Sequence, residues 1–512
     1  MFVNSAVKLL DIAKEKFADN VAVTDENGSI TYKEYRSMSL DIATGLLPYL
    51  EEGDGVKPVV VCMKKSKEML CTFMGIMYCG GSYVPTQSDI PLSRLEKIAE
   101  NLSPRLIIYD ENTKDHVLSS DLGVKCISYE ELINGRCDEE KISKVLESIV
   151  DTDPIYMMYT SGSTGTPKGV TVSHRGVVDY ALWTSKTFGF CEKDKFGNQA
   201  PFYFDNSIFD IYTCLLVGAE MNIIPESLFM FPSKLPEFIR DNDITTIFWV
   251  PTVMINVANS GSLSEIKMPT LKNVLFCGEV MPNSALNVWR KNAGELMYAN
   301  LYGPTEITDV CTYYIVDREF DDNDKLPIGI PCENMKAVIL TEDNKKAKVG
   351  EHGELCIGGS GVSLGYFNAK EITDRAFIQN PLNPYYHERL YRTGDICYMS
   401  EDGLIMYVGR MDSQIKLKGN RIELGEIENA AQCLAEIENA CTIFDAENEK
   451  IWLFAETKEK LVLRKVNNEL KKYIPKYMLP SELVCLEKLP HTANDKIDRV
   501  TLRKTYVTGE NK

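Results

Sequence analysis

The sequence predicts an α/β protein, with a large N-terminal domain of βα-type sheets flanked by helices and a small, mobile C-terminal α+β domain. Three observations predict it: the alternation of short apolar runs with helical patterns up to about residue 410, the change of pattern after residue 412, and a length of 512 residues, several times a single-domain size. The runs are rich in β-branched and aromatic residues. They include Lys57 to Met63 (KPVVVCM), Arg105 to Tyr109 (RLIIY), Ile155 to Tyr159 (IYMMY), Thr245 to Val250 (TTIFWV) and Asn273 to Cys277 (NVLFC). Strands that alternate with helices predict parallel sheets covered on both faces. Beyond residue 412 the pattern is a helix near Gly425 to Ile437, strands near Ala440 to Phe444 and Ile451 to Ala455, another helix, and a strand at Glu482 to Leu486. The expected domains are therefore 1–411 and 412–512. The junction Gly409-Arg-Met-Asp-Ser413 has no Pro/Gly linker, so relative motion must be absorbed by very few torsions.

Composition narrows the class of protein. With 44% hydrophobic and 25% charged residues, and no stretch of about 18 apolar residues, the chain reads as globular with no membrane span. Met1 to Phe17 carries Lys8, Asp11, Lys14, Glu15 and Lys16, which suits an amphipathic surface helix rather than a signal peptide. A cytoplasmic monomer is expected. The 15 cysteines lack CxxC pairing, and Cys62, Cys277 and Cys356 sit in apolar runs, so they read as reduced, buried thiols. A formal net charge of −18 argues against a nucleic-acid or anionic-membrane surface.

The strongest local signal is Tyr159-Thr-Ser-Gly-Ser-Thr-Gly-Thr-Pro-Lys-Gly-Val170, directly after an apolar strand. Gly162, Gly165 and Gly169 let the backbone turn tightly and aim N–H groups at an anion, Thr160, Ser161, Ser163 and Thr164 add hydroxyl donors, and Lys168 adds a cation. That is a phosphate-cradling loop. It is not a Walker A loop, because Pro167 and Gly169 stand where that motif needs Gly and Ser or Thr.

This loop and eight further motifs, in matching order along nearly the whole chain, resemble the adenylate-forming superfamily. That superfamily includes amino-acid adenylation domains of nonribosomal synthetases, D-alanine–carrier-protein ligases, acyl-CoA synthetases and luciferases. The motifs are Ile30-Thr-Tyr-Lys-Glu-Tyr35, Gly80-Gly-Ser-Tyr-Val-Pro85, Phe204-Asp205, Asn300-Leu-Tyr-Gly-Pro-Thr-Glu306, Gly353-Glu-Leu-Cys-Ile-Gly358, Tyr391-Arg-Thr-Gly-Asp395, Gly409-Arg-Met-Asp412 and Asn494-Asp-Lys-Ile-Asp-Arg499.

The resemblance implies a job for each motif. Tyr302 would stack on adenine, Asn300 would bond its edge, Thr305 would hold phosphate oxygens and Glu306 would ligate Mg²⁺. Asp395 would take the ribose hydroxyls with Arg410 nearby, and Gly278, Glu279 and Gly303 would complete the ATP site. Lys496, with Lys168 and Glu306, would be catalytic, the Lys496 ammonium bridging the attacking carboxylate and the α-phosphate. The usual glycine before that lysine is Asp495 here. Rotation about Asp412 would exchange Lys496 for a phosphopantetheine tunnel lined by Gly419.

In the amino-acid branch the residue matching Asp205 pairs with the substrate ammonium, which discriminates against fatty acids. The other pocket positions carried over are Asn206, Phe209, Phe248, Leu275, Cys277, Leu301, Asp309 and Val310, whose bulk suggests a small side chain. Gln199-Ala-Pro-Phe202 and Leu275-Phe-Cys-Gly-Glu279 are most similar to D-alanine–carrier-protein ligases. Asp309 departs from that branch; it would bind a polar or cationic side chain or face away.

The expected function is ATP-dependent activation of a small amino acid, D-alanine among the candidates, to an aminoacyl-adenylate, then transfer to the phosphopantetheine thiol of a carrier protein. The chain ends sixteen residues after Lys496 without a carrier segment, so the carrier is expected to be separate. Two alternatives are an acyl- or aryl-CoA synthetase, opposed by Asp205, and a silent nucleotide-binding regulator, opposed by intact Lys168, Glu306, Asp395 and Lys496.

Overall fold

A computed structural model describes residues 3–51, 55–119, 121–133, 138–161, 167–411, 414–491 and 497–508. Two compact units emerge. One comprises Met1–Ser88, Leu102–Met158 and Gly169–Met411, the other Asp89–Asn101, Tyr159–Lys168 and Asp412–Lys512.

The first unit is built on two largely parallel sheets. In the seven-stranded sheet, Pro58–Cys62 pairs in parallel with Ser82–Pro85 and Leu106–Tyr109, and Pro154–Thr160 follows Ser82–Pro85. In the nine-stranded sheet, Lys195–Asn198, Thr246–Trp249, Asn273–Phe276 and Met297–Tyr302 run parallel in that spatial order. Every residue of Pro58–Cys62, Thr246–Trp249 and Asn273–Phe276 is buried, as strands covered on both faces require. Each apolar run noted in the sequence has become one of these strands, shifted at its ends by a residue at most.

The expectation of parallel sheets up to residue 410 fails for the last part of this unit. Met335–Leu340, Gly353–Gly359, Arg389–Met399, Phe377–Gln379 and Ile405–Arg410 form an antiparallel sheet. Burial in Arg389–Met399 alternates through its middle, the mark of a sheet covered on one face only. Tyr391, Thr393, Asp395 and Cys397 point inward.

Helices follow local signals. Lys8–Phe17 forms at the expected amphipathic segment, and Tyr32–Leu50 starts at a capping box in which Thr31 and Glu34 bond reciprocally. Ser207–Val217 is buried through most of its length and ends at Gly218 in a left-handed conformation. In the second unit, Gln414–Leu417 and Asn420–Glu423 make a hairpin, the helix Leu424–Gln432 follows, and Asn439–Asp445, Lys450–Glu456 and Glu482–Leu486 form a three-stranded sheet. That helix stops five residues short of the expected Ile437. Among the described residues no helix is long and apolar enough to cross a membrane, and fourteen cysteines are free thiols, most of them buried.

His174 opens the helix His174–Phe188, is 2% exposed, and accepts the Ala6 N–H at Nδ1 over 3.1 Å. Burial lowers its pKa from 6.5 to about 4, against a smaller opposing effect of Asp151. The folded state therefore binds this proton less readily than the unfolded chain. Stability is complete above about pH 6.5 and declines as pH falls toward 4, by up to about 3 kcal/mol from this group. Urea melts between pH 7 and 4 should show that loss, and His174→Asn should flatten the slope by about one proton.

Candidate functional site

Antiparallel pairing of Arg389–Met399 with Ile405–Arg410 sets Asp395 opposite Arg410. Arg410 Nη1 consequently lies 3.1 Å from Asp395 Oδ1, and it also donates to the Thr393 carbonyl at 2.7 Å. The other carboxylate oxygen accepts the Tyr302 hydroxyl. Tyr302 ends the strand Met297–Tyr302 and has its hydroxyl pushed up by burial first and by the charge of Asp395 second, so it stays a neutral donor. Asn300, two residues earlier on the same strand face, donates to the Pro327 carbonyl at 2.8 Å. Asp395, Arg410, Tyr302 and Asn300 are thus gathered where two sheets end.

Directly after Tyr302 the chain makes a tight turn. A Cβ on Gly303 would sit 2.0 Å from the Asp309 carbonyl oxygen, so only glycine allows this approach. The 3-10 turn Thr305–Ile307 follows, and Thr308 and Asp309 both take left-handed φ values of 62° and 73°. The turn buries two carboxylates. Glu306, fully buried, accepts from the Tyr366 hydroxyl at 2.7 Å, and Asp309, 1% exposed, accepts from the Tyr180 hydroxyl at 2.7 Å.

The apolar positions pack into one buried core. Phe209 sits on the helix Ser207–Val217, and its ring centroid is 4.4 Å from that of Phe248. Phe248 and Leu275 are register partners on adjacent parallel strands, and Leu275 in turn faces Ala299, two residues before Leu301. With Cys277 and Val310, these residues belong to a single core and are no more than 2% exposed. Asp205 and Asn206 precede the helix, and the Asn206 N–H donates to Asp205 Oδ1 at 3.1 Å. Glu279 accepts from the Thr252 N–H and hydroxyl at 3.1 and 2.7 Å, beside Gly278 at φ 103°.

Thr160, Ser161 and Lys168 fall in the second unit. There the Ser161 hydroxyl donates to the Arg421 carbonyl at 3.1 Å, while Thr160 Oγ1 is buried without a partner among the described residues. Lys168 begins the strand Lys168–Ser173, and Gly419 turns the hairpin at φ 77°. Gly162, Ser163, Thr164, Gly165, Asp412, Asp495 and Lys496 lie outside the described residues. Sequence reasoning missed Tyr366 and Tyr180. They bond Glu306 and Asp309 across 60 and 129 residues, a separation at which no local motif marks them. Among the described residues no three side chains of His, Cys, Asp or Glu gather into a metal site.

Residues 10–367 match the model of a family described as AMP-binding enzyme. Tyrocidine synthase 1 of Brevibacillus parabrevis is 30% identical over 98% of this chain and 45% of the synthase. A D-alanine–D-alanyl carrier protein ligase of Bacillus cytotoxicus is 32% identical over 94% of this chain and 96% of the ligase. The chain thus spans about half the length of such synthases and nearly all of the ligase. Among solved structures, an artificially fused adenylation–PCP di-domain, NpsA-ThdA of Klebsiella oxytoca, aligns over 94% of both chains with a TM-score of 0.81 at 23% identity. An o-succinylbenzoate CoA synthetase of Bacillus subtilis, a double mutant, aligns over 97% of both at 0.82 and 18% identity. The expected α/β fold class is the one these structures share.

The turn at Gly303 can be tested directly. Gly303→Ala forces the Asp309 carbonyl away and should cost about 1–3 kcal/mol in a denaturant melt. Gly409→Ala, where an added Cβ meets nothing within 4 Å, should stay within about 0.5 kcal/mol.

Proposed function

This chain belongs to the AMP-binding enzyme family, and from that membership we propose that it activates a small amino acid with ATP and hands the aminoacyl group to the phosphopantetheine thiol of a separate carrier protein. In the first half-reaction a substrate carboxylate oxygen attacks the α-phosphorus, the bond to pyrophosphate breaks, and an aminoacyl-adenylate forms. In the second, a thiolate attacks the acyl carbon and AMP leaves. D-alanine is the first candidate substrate, from the likeness to the carrier protein ligase.

Asp205 is the observation that carries the choice of an amino acid. It is a carboxylate two residues before the buried helix Ser207–Val217, which carries Phe209. An ammonium placed there gains a charge partner, and a fatty acid leaves the carboxylate unpaired. The wall of Phe209, Phe248, Leu275, Cys277, Leu301 and Val310 supports a short side chain.

The nucleotide would be held by Asp395 and Arg410 at the ribose, Asn300 and Tyr302 at the base, and Gly303, Thr305, Gly278 and Glu279 around the phosphates. Thr160, Ser161, Gly162, Ser163, Thr164, Gly165 and Lys168 would supply N–H, hydroxyl and ammonium donors to the phosphates. The carboxylate of Glu306 is a hard oxygen donor of the kind Mg²⁺ prefers, and the ion would offset phosphate charge. Lys496 would steady the charge that builds as pyrophosphate leaves, and Asp412 would be the pivot between half-reactions.

ATP–pyrophosphate exchange across D- and L-amino acids, fatty acids and aryl acids tests the proposal. Small amino acids should stimulate exchange, and stimulation by a fatty or aryl acid alone overturns the reading. Asp205→Ala should raise the amino-acid KM by roughly 100-fold or more, and Lys496→Ala should lower exchange by about 10²–10³. A holo-carrier protein, not coenzyme A, should accept the acyl group.

A further inference from the structure

A cleft of about 630 Å³ opens in the first unit, and none of its lining residues is among the positions named for the nucleotide or the substrate. Its place follows from the topology. In the seven-stranded sheet, Pro58–Cys62 lies between Ser82–Pro85 and Leu106–Tyr109. The chain leaves Pro58–Cys62 through the helix Lys67–Tyr78 toward Ser82–Pro85 on one side, and leaves Leu106–Tyr109 through Lys114–Leu118 toward Cys126–Ser128 on the other. Exits that diverge from neighbouring parallel strands leave a crevice at their carboxyl ends, which is where open α/β sheets bind ligands. The nine-stranded sheet adds the carboxyl ends of its own parallel neighbours, Val21–Asp25 and Glu220–Ile223.

The lining is acidic on each of these elements. Asp25 and Glu26 end one strand, Asp110 and Glu111 follow another, Glu68 lies in the first turn of Lys67–Tyr78, Glu130 follows Tyr129, and Glu226 follows Glu220–Ile223. Seven carboxylates thus line the cleft with two ammonium groups, Lys64 and Lys65, and the Lys65 ammonium already donates to the Gln199 carbonyl at 3.1 Å. Among the described residues Glu226 makes no hydrogen bond or ion pair, and Glu26 meets only Lys64, at 4.0 Å. Tyr129 points to a ligand independently. It lines the cleft at 8% exposure with its ring in the core, and its hydroxyl makes no hydrogen bond among the described residues. A phenol held this deep ordinarily has a partner for its polar tip.

We propose that this cleft binds a small linear polyamine, an aliphatic chain carrying two or more ammonium groups. A single metal ion does not fit it, because among the described residues no three acidic, histidine or cysteine side chains gather closely enough to hold one. Carboxylates set apart on different strands match a ligand whose own charges are set apart. Met63, Ile223 and Pro225 in the same lining give its methylene spacers an apolar surface. The Tyr129 oxygen accepts one ammonium N–H without adding a charge to desolvate. A phosphate-bearing ligand is disfavoured there, since it meets the carboxylates as like charges.

Spermidine is the probe. Calorimetric titration of the full chain, without ATP or amino acid, should give saturable one-to-one binding with a Kd on the order of 0.1 mM or tighter in about 0.1 M salt. Glu26→Gln combined with Glu226→Gln should weaken it roughly 5- to 10-fold. Tyr129→Phe should weaken it about threefold and leave the melting temperature unchanged, because the lost hydroxyl has no partner in the fold. Glu319→Gln combined with Glu401→Gln removes the same charge from exposed positions outside the cleft, and should leave the Kd within about twofold. Binding that never saturates, or that both double variants weaken alike, reports only the attraction of a chain of net charge −18 and overturns the proposal. Displacement of spermidine by an equal concentration of Mg²⁺ at constant ionic strength overturns it too. Binding is read without the reaction, so its failure leaves the proposed function untouched.

Discussion

Three carboxylates on the turn after Tyr302 and on the strand Arg389–Met399 lie almost wholly out of water: Glu306 at 0%, Asp309 at 1% and Asp395 at 6% exposure. Taking such a charge into the interior costs several kcal/mol unless hydrogen bonds replace its hydration. Each of the three accepts from a phenol, Tyr366, Tyr180 and Tyr302 respectively. A phenol is well suited to this task because its ring belongs in the core and its tip is polar. It also hydrogen-bonds without cancelling the charge. Burial pushes the hydroxyls of Tyr180 and Tyr302 well above their ordinary range, which secures them as donors across the physiological range of pH.

The sheets determine which tyrosine meets which acid. Tyr302 ends a parallel strand, whereas Asp395 sits within an antiparallel one, so their bond ties two differently built sheets together. Tyr366 pairs with Val170 across a short antiparallel contact, and from there its hydroxyl reaches the turn that carries Glu306. That turn exists only because Gly303 lets the Asp309 carbonyl approach. One residue without a side chain therefore fixes where two acids point.

How much of this was legible in the sequence depends on the range of the interaction. Strands such as Asn273–Phe276 and Thr246–Trp249 could be read because a fully buried strand is continuously apolar. The antiparallel sheet ending in Ile405–Arg410 was assigned to the parallel pattern because Arg389–Met399 carries polar Thr393 and Asp395 on its inward face and apolar Ile396 and Tyr398 on its outward one, which hides the alternation in the sequence. Asp395, Glu306 and Asp205 stood out because they sit in motifs a few residues long. The phenols that hold Glu306 and Asp309 did not, since Tyr366 and Tyr180 occupy unremarkable positions in a two-residue strand and a helix.

The size of the proposed substrate would follow from what packs behind Phe209 and Phe248. Phe209 does not face an empty interior. Its ring is flanked by Phe190 at 5.9 Å, Phe196 at 6.2 Å and Phe188 at 6.3 Å, and Phe248 packs on it at 4.4 Å. A substrate side chain that pushed on Phe209 would have to displace this whole aromatic cluster, and overpacking a filled core costs about 1–3 kcal/mol even for small additions. Leu275 and Leu301 are held as firmly by the ladder they share through Ala299. On the proposed reading, Asp205 would select for a charged group, and the aromatic cluster around Phe209 would limit how far the rest of the molecule extends. On that reading polarity and depth would be set by different residues, so a smaller side chain at Phe209 would alter side-chain choice and leave the proposed ammonium pairing at Asp205 in place.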